Sequence, residues 1–157
     1  MILNSLFFKR MTAVAKQKLL PISLLDNLNT PGAGHDVLRY VGLHDLLGEE
    51  APELLYFMGK NLARHFELNT IDDIYYFFEK MGWGRLELVK EKKKRLTFTL
   101  LADSVVHRLK APVKTEFRLE AGFLSESIQI INGIECECVE EINHKIHQIQ
   151  FNIMYIT

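Results

Sequence analysis

The chain has 157 residues, a net charge of −1 at neutral pH and a hydrophobic fraction of 48%. This length supports one hydrophobic core, whereas two independent domains would each be marginal. The excess of Lys and Arg that a phosphate-binding surface requires is missing, so the composition argues against nucleic-acid binding. No apolar run in the sequence reaches the roughly 18 residues that a membrane span requires.

The N-terminal segment has its apolar residues ahead of its first charged pair, at positions 9 and 10. A secretory signal has the opposite order and a longer apolar region. We therefore expect residues 1–18 to be a tail that need not be ordered, followed by a single domain over residues 19–157. Either Met1 or Met11 is compatible with being the first residue.

Helical patterns fill the first half of the chain. The apolar segment 19–28 predicts a helix that begins near Pro21 and ends before the run Pro31-Gly32-Ala33-Gly34. Asp36 is the expected N-cap of a second helix, which Gly48 ends.

Two further helices follow. Pro52 suits the first turn of one of them, and Thr70 with Asp73 approximates a capping box at the start of the next. The expected apolar stripe of the first consists of Leu55, Met58, Leu62 and Phe66. That of the second consists of Ile71, Ile74, Tyr75, Phe78 and Met81, with Gly82 as its stop.

Beyond Trp83 the apolar period changes from about 3.6 to 2. Apolar residues alternate with polar ones on both sides of the charged run 91–94, which predicts a β-hairpin with one buried face and a charged tip. Residues 103–114 are ambiguous, with a short edge strand at Val105-Val106 and then a loop around Pro112 as one interpretation.

The strongest helical period lies between Thr115, the expected N-cap, and Gly133, the expected stop. Its apolar stripe consists of Phe117, Ala121, Leu124, Ile128 and Ile131. A second hairpin follows over residues 134–142 and 146–156. The order of these elements predicts an α+β fold in which helices pack on one face of an antiparallel sheet of four strands, or of five with the edge strand.

Cys136 and Cys138 are too few and too close in sequence for a disulfide framework, which indicates a cytoplasmic protein. If the second hairpin turns at Asn143-His144, Cys136 lies opposite Phe151, Cys138 lies opposite Ile149, and the acidic residues face outward. Both thiols are then expected to be buried. The alternative is a metal site in which His144 or His147 completes the ligand set.

Glu120 lies at the border of the apolar stripe of the long helix. One interpretation is a partly buried carboxylate that orients a ligand or locks a charge such as Arg108, and the other is a rim acid favoured by the helix dipole. Gly122 and Ser125 leave a notch on the same helix, beside Phe123, for a helix or a ligand. The aromatic residues Tyr75, Phe78 and Trp83 either line a pocket or fill the core.

Three motifs resemble the YslB-like family of small Gram-positive cytosolic proteins. They are Gly59-Lys60-Asn61-Leu62-Ala63-Arg64, then Phe77-Phe78 ahead of Gly82-Trp83-Gly84, and Leu119-Glu120-Ala121-Gly122-Phe123-Leu124-Ser125-Glu126. The family is distantly similar to 4-vinyl-reductase-like and TRAPP-type ligand-binding domains. This resemblance implies a helical layer on an antiparallel sheet, dimerisation, and the binding of small hydrophobic or acyl ligands.

No nucleophile elbow and no converging acid–base set is present in the sequence, and no cofactor motif is recognisable. We therefore expect a non-catalytic, dimeric module that binds a small hydrophobic ligand or a protein partner. The alternatives are an interaction adaptor with a filled core and, more remotely, an enzyme. The exposed apolar residues expected on the helix at 36–47, Tyr40 and Leu43 among them, are the predicted dimer surface.

Overall fold

The computed structural model describes residues 19–27 and 32–156. The expected tail at 1–18 and the two candidate first residues lie outside these ranges. No helix in the described part of the chain combines the length and apolarity that crossing a membrane requires.

The first half of the described chain is helical, as the sequence predicts. It comprises a 3-10 helix (Ile22–Asn27), α1 (Gly32–Val37), a π-helical segment (Leu38–Leu43), α2 (His44–Leu47), a 3-10 turn (Gly48–Glu50), α3 (Ala51–Ala63) and α4 (Ile71–Lys80). The capping box predicted for α4 is present: Thr70 accepts a hydrogen bond from the amide of Asp73, and the Asp73 carboxylate accepts one from the amide of Thr70. Gly48, with φ of 65°, follows α2.

Asp36 is not the helix cap that its position in the sequence predicts. Helix α1 begins four residues earlier, at Gly32, and Asp36 is its second-last residue. Its carboxylate instead forms an ion pair with Arg108. A side chain that would cap a helix end is thus used for a tertiary contact.

The second half of the chain forms the sheet and two more helices. These elements are β1 (Arg85–Lys92), β2 (Arg95–Leu101), α5 (Asp103–Lys110), α6 (Arg118–Asn132), β3 (Cys136–Asn143) and β4 (Gln148–Tyr155). The four strands are antiparallel in the order β1-β2-β4-β3. The fold is therefore α+β with a four-stranded antiparallel sheet.

Residues 103–110 form helix α5, so the fifth strand suggested at Val105-Val106 is wrong. Val105 and Arg108 are its buried residues, one helical turn apart. Thr115 does not cap the next helix, because its hydroxyl donates to the carbonyl oxygen of Arg108 at 2.8 Å. The Glu116 carboxylate accepts the hydrogen bond of the Arg118 amide at the start of α6 instead.

Helix α6 is buried on all sides over residues 119–128, because α3 covers one side and the sheet the other. A helix in this position buries polar groups, and each needs a partner. Ser125 donates to the carbonyl oxygen of Cys136, Ser127 donates to that of Phe123, and Glu126 pairs with Arg64. The apolar stripe predicted from the sequence is only one part of this buried surface.

The second hairpin has a different register from the predicted one. Cys136 lies opposite Tyr155 and Cys138 opposite Ile153, so the partners shift by four residues. The strands close at Asn143 and Gln148, where the Asn143 side chain accepts a hydrogen bond from the Lys145 amide. Because the shift is even, the residues predicted to face the core still do so.

Candidate functional site

A cluster of buried charges lies between the π-helical segment and the start of α6. Arg39, 2% exposed, donates to both carboxylate oxygens of Glu120 at 2.5 Å. Glu120 is fully buried. Arg39 also donates to Glu116, at 3.0 and 3.1 Å. One cation therefore holds two carboxylates and fixes the π-helical segment against α6.

The electrostatics of this cluster keep Arg39 charged. Burial alone would lower the pKa of the Arg39 guanidinium, but the carboxylates, Glu120 first, hold it well above its usual range. His44 lies beside the cluster, with its Nε2 at 3.9 Å from the Glu116 carboxylate. That nitrogen is buried and has no hydrogen-bond partner in the described part of the chain.

The π-helical geometry places Arg39 and the neighbouring Tyr40 both in the interior. The Arg39 guanidinium lies 5.0 Å from the centre of the Tyr40 ring, and Tyr40 is 5% exposed. Burial, followed by the charge of Glu120, raises the pKa of the Tyr40 hydroxyl. The sequence suggested Tyr40 as an exposed residue of a dimer surface, and this placement is wrong.

A groove with a volume of about 740 Å³ opens next to Tyr40. It runs between α1, the π-helical segment, the end of α4, and α5. Its apolar lining includes Val37, Val41, Met81 and Val113, and its polar lining includes His35, Asp36, Tyr40, Lys80, Ser104, His107 and Arg108.

Arg108 joins three elements at this groove. Its Nε lies 3.2 Å from both carboxylate oxygens of Asp36 on α1. Its terminal nitrogens donate to the carbonyl oxygens of Gly82, at 2.7 Å, and Trp83, at 3.3 Å. The cation thus satisfies carbonyl groups that follow α4 and ties α1 to them.

Glu120 is the predicted site residue that the structure places in a charged cluster. It is fully buried rather than at a rim, and the charge it locks is Arg39. The suggested partner Arg108 pairs with Asp36 instead.

The notch at Gly122 and Ser125 is filled by helix α3. A β-carbon at Gly122 would lie 2.0 Å from the backbone oxygen of Tyr56, and one at Gly59 would lie 2.1 Å from that of Leu119. The two glycines therefore allow close contact between the helices, which leaves no room there for a ligand.

The aromatic candidates Phe78, Trp83 and Phe123 are fully buried and contact one another. Phe123 also stacks on Phe77, with ring centres 4.0 Å apart. Tyr75 is partly buried at the edge of this cluster. The Trp83 indole nitrogen finds no hydrogen-bond partner among the described residues. Their predicted role in ligand binding stays a prediction, since none of them lines the groove.

Cys136 and Cys138 are buried, as predicted, and both are free thiols. Burial raises the pKa of each thiol. The Cys136 sulfur donates to the carbonyl oxygen of Ser125, and the hydroxyl of Tyr56 accepts a hydrogen bond from the Cys138 amide. Within residues 19–27 and 32–156, no group of three metal-ligating side chains comes together.

Sequence reasoning named Asp36 as a helix cap and Arg108 as a partner of Glu120, but it missed Arg39 and the pairings that organise the groove. Arg39, Asp36 and Arg108 have partners 72 to 81 residues away in the sequence. The one local signal was a single cation, Arg39, inside the apolar stretch 37–43. A cation in such a stretch needs a buried counter-charge.

Comparison with known proteins agrees with the fold and the motifs. The chain is 32% identical to the uncharacterized protein YslB of Bacillus subtilis over 134 residues, which are 85% of this chain and 90% of that protein. It is 24% identical to the uncharacterized protein MJ1642 of Methanocaldococcus jannaschii over 105 residues, 66% of this chain and 63% of that one.

A solved structure shares the fold. It is a vinyl-4-reductase family protein from Methanocaldococcus jannaschii, with a TM-score of 0.58, 16% identity, and coverage of 96% of this chain and 95% of that one. A family model described as protein of unknown function (DUF2507) matches residues 32–154. The chain therefore belongs to the DUF2507 family, as the resemblance to YslB-like proteins predicts.

Proposed function

We propose that this protein is a non-catalytic binding domain whose groove between α1, the π-helical segment and α5 holds a small, largely hydrophobic ligand. One observation carries the proposal: the groove has a volume of about 740 Å³. Ligand pockets commonly have volumes of about 300–1,000 Å³, with apolar walls and a few polar groups. Val37, Val41 and Met81 supply such walls.

The chemistry of the groove supports binding rather than catalysis. Ser104 and His107 lie one turn apart on α5 and both line the groove. Among the described contacts no hydrogen bond joins them, so this pair gives no support to a nucleophile activated by a base. Glu120 and Trp83 support the groove from behind, since Glu120 holds Arg39 next to Tyr40 and the carbonyl of Trp83 holds Arg108.

A second candidate function is a protein-interaction adaptor. The observation that favours it is an apolar surface on the outer side of the helical layer, which we call the outer surface. Its residues are Leu46, Leu54, Phe57 and Met58, which are 78%, 40%, 62% and 41% exposed. Exposed apolar patches mark interaction sites. We propose that the partner is a second copy of the chain, which covers this outer surface in a homodimer.

Native mass spectrometry of protein purified from its own host tests these proposals together. We expect a retained small molecule on the wild-type protein. The Val41→Trp variant, which places an indole in the groove, should lose it. Val139→Trp is the matched control, because Val139 on β3 is 47% exposed and Val41 is 44% exposed. A ligand that both variants retain would place binding elsewhere, and a ligand-free wild-type protein would favour the adaptor.

A further inference from the structure

The polar groups that line the groove differ in whether they already have a partner in the described part of the chain. Its lining contains one carboxylate, Asp36, and both of its oxygens contact Arg108. The carbonyl oxygens of Gly82 and Trp83 also accept hydrogen bonds from Arg108. The one carboxylate of the described lining is therefore already paired with a cation.

The other polar groups of the lining can each donate a hydrogen bond to a ligand, although the hydroxyls and neutral imidazoles can also accept one. Lys80 has three N–H bonds, pairs with the Asp26 carboxylate at 2.8 Å and lies 5.3 Å from the centre of the Tyr76 ring. Ser104 and the two imidazoles of His35 and His107 line the groove, and within the described residues no hydrogen bond or ion pair engages these three side chains. A ligand that carries acceptor oxygens can use these donors.

Tyr40 is the most telling of these groups. Its side chain is 95% buried, since only 5% is exposed, and it lines the groove. Its hydroxyl makes no hydrogen bond to any described residue and is not among the fully buried polar atoms, so it is accessible from the groove. Burial raises its pKa, so the hydroxyl keeps its proton and can donate it. A ligand with an acceptor oxygen can therefore replace water as the partner of this hydroxyl.

We infer that the ligand is an amphipathic anion, with an apolar body against Val37, Val41 and Met81 and a carboxylate or phosphate head group that accepts a hydrogen bond from Tyr40. The inference rests on the proposed ligand-binding function. It adds the chemical class of the ligand and assigns Tyr40 as the residue that recognises it. The ammonium group of Lys80 on the same lining keeps N–H bonds beyond its contact with Asp26 and can donate one of them to the head group.

Four probes with the same eight-carbon chain separate the charge from the chain: octanoate, octyl phosphate, 1-octanol and octylamine. Binding is followed by chemical shifts of the backbone amides of Gly82 and Ser104, which report the groove directly. We expect at least one of the two anions to bind at least tenfold more tightly than the alcohol or the amine. The stronger anion identifies the head group as carboxylate or phosphate.

The variant Tyr40→Phe removes the hydroxyl and keeps the ring, so it should fold. It should weaken the anion at least tenfold, since a hydrogen bond to a charged group contributes about 1.5–3 kcal/mol, and should leave the alcohol unchanged. If the alcohol shifts the same amides as strongly as the anions, or Tyr40→Phe binds the anions normally, the anion inference is wrong and the groove remains a binding site. If none of the four probes shifts these amides, the proposed groove function fails as well.

Discussion

Arg39 and Glu120 form a two-bond ion pair, at 2.5 Å for each contact, in the interior of the molecule. A buried pair loses the hydration of both charges, and it is tolerable only when the hydrogen bonds are complete. Here Glu116 provides additional contacts for the guanidinium. The pair therefore determines where the π-helical segment, and Tyr40 with it, lies against α6.

The variant Arg39→Met should lower the free energy of unfolding by about 3–5 kcal/mol, because it leaves buried carboxylates without their cation. The double variant Arg39→Met/Glu120→Gln should recover part of this loss. Urea denaturation measures both. Arg85→Met is the control, since Arg85 and its partner Glu87 are 63% and 45% exposed, and its effect should stay below about 1 kcal/mol. An equally small effect at Arg39 would mean that the pair does not fix the segment.

The contact between α3 and α6 depends on Gly122. Because Gly122 has no β-carbon, the backbone oxygen of Tyr56 can lie only 2.0 Å from the position that a β-carbon would take. Gly122→Ala should therefore separate the helices and lower the free energy of unfolding by about 1–3 kcal/mol or more, as overpacking does.

Gly42→Ala is the matched control for Gly122→Ala. A β-carbon at Gly42 would lie 3.6 Å from the nearest atom, a methyl carbon of Leu38, which is an ordinary contact. Since alanine also restricts the unfolded chain, Gly42→Ala should be neutral or stabilising. Thermal unfolding compares the two variants, and equal melting temperatures would contradict the steric explanation.

The parts of the fold that were predictable from the sequence are those that local physics determines. The capping box at Thr70 and Asp73 needs only two residues that are three apart in the sequence. Gly82 and Gly133 adopt the positive φ angles that end helices. The faces of the second hairpin were predictable even though its turn was not, because alternation fixes the face and tolerates an even shift in register.

The groove was not predictable, because it depends on contacts between distant residues. Arg108 lies on the buried side of α5, so the apolar pattern of that helix is interrupted by a charge. Two adjacent β-branched residues, Val105 and Val106, then favour a strand in a local interpretation. Only the tertiary partner Asp36 makes a buried arginine there acceptable.

The cap at Asp73 predicts a dependence of stability on pH. Burial raises the pKa of the Asp73 carboxyl, but hydrogen bonds from the Asn69 and Thr70 amides and the Thr70 hydroxyl bring it below the ordinary value of 3.8. A folded-state pKa below the unfolded one stabilises the protein at pH values above the unfolded pKa, and this contribution is lost as the pH falls through the folded pKa.

Asp73→Asn removes the charge but keeps an acceptor oxygen, so it should lower the free energy of unfolding by about 0.3–1 kcal/mol at neutral pH. The difference from the wild-type protein should shrink as the pH falls below 3.8. Asp72→Asn, which removes an exposed carboxylate from the same turn, is the control. Chemical denaturation at several pH values tests this, and a difference that is constant with pH would argue against the cap.

The cysteines should be unreactive in the folded protein. Both thiols are buried, and burial raises the pKa of each. The reactive thiolate is therefore a small fraction of each cysteine at neutral pH. We expect negligible alkylation by iodoacetamide in native buffer and two alkylated cysteines in guanidinium chloride, counted by intact mass. The variant Val139→Cys places a thiol between them on β3, where the native side chain is 47% exposed. It should gain one alkylated cysteine in native buffer. Rapid native labelling of the wild-type protein would show that β3 opens.

The same two cysteines are predicted to hold no metal. Two thiols are fewer than the three or four protein ligands that zinc sites use. In the described part of the chain no third ligand joins them. Elemental analysis of dialysed protein should find zinc well below one atom per chain, and one firmly held atom would overturn this prediction.

The outer surface predicts the oligomeric state. Phe57 is 62% exposed. Leu54 lies three residues before Phe57 and four before Met58 on α3, so the three side chains form one stripe. Burying this stripe against a second copy would remove apolar area from water at about 25 cal/mol per Å². A carboxylate in such an interface would lose its hydration without a partner.

Phe57→Asp should therefore convert a dimer into a folded monomer, because the site is exposed within each chain. Light scattering gives the mass, and circular dichroism confirms the fold. Aspartate at Tyr40 would not test the dimer, because at that buried position it would unfold the chain whatever the oligomeric state. Val139→Asp, on the sheet, is the matched control and should leave the dimer intact. A wild-type monomer at high protein concentration would refute the dimer, and a dimer that Phe57→Asp does not dissociate would place the interface on another surface.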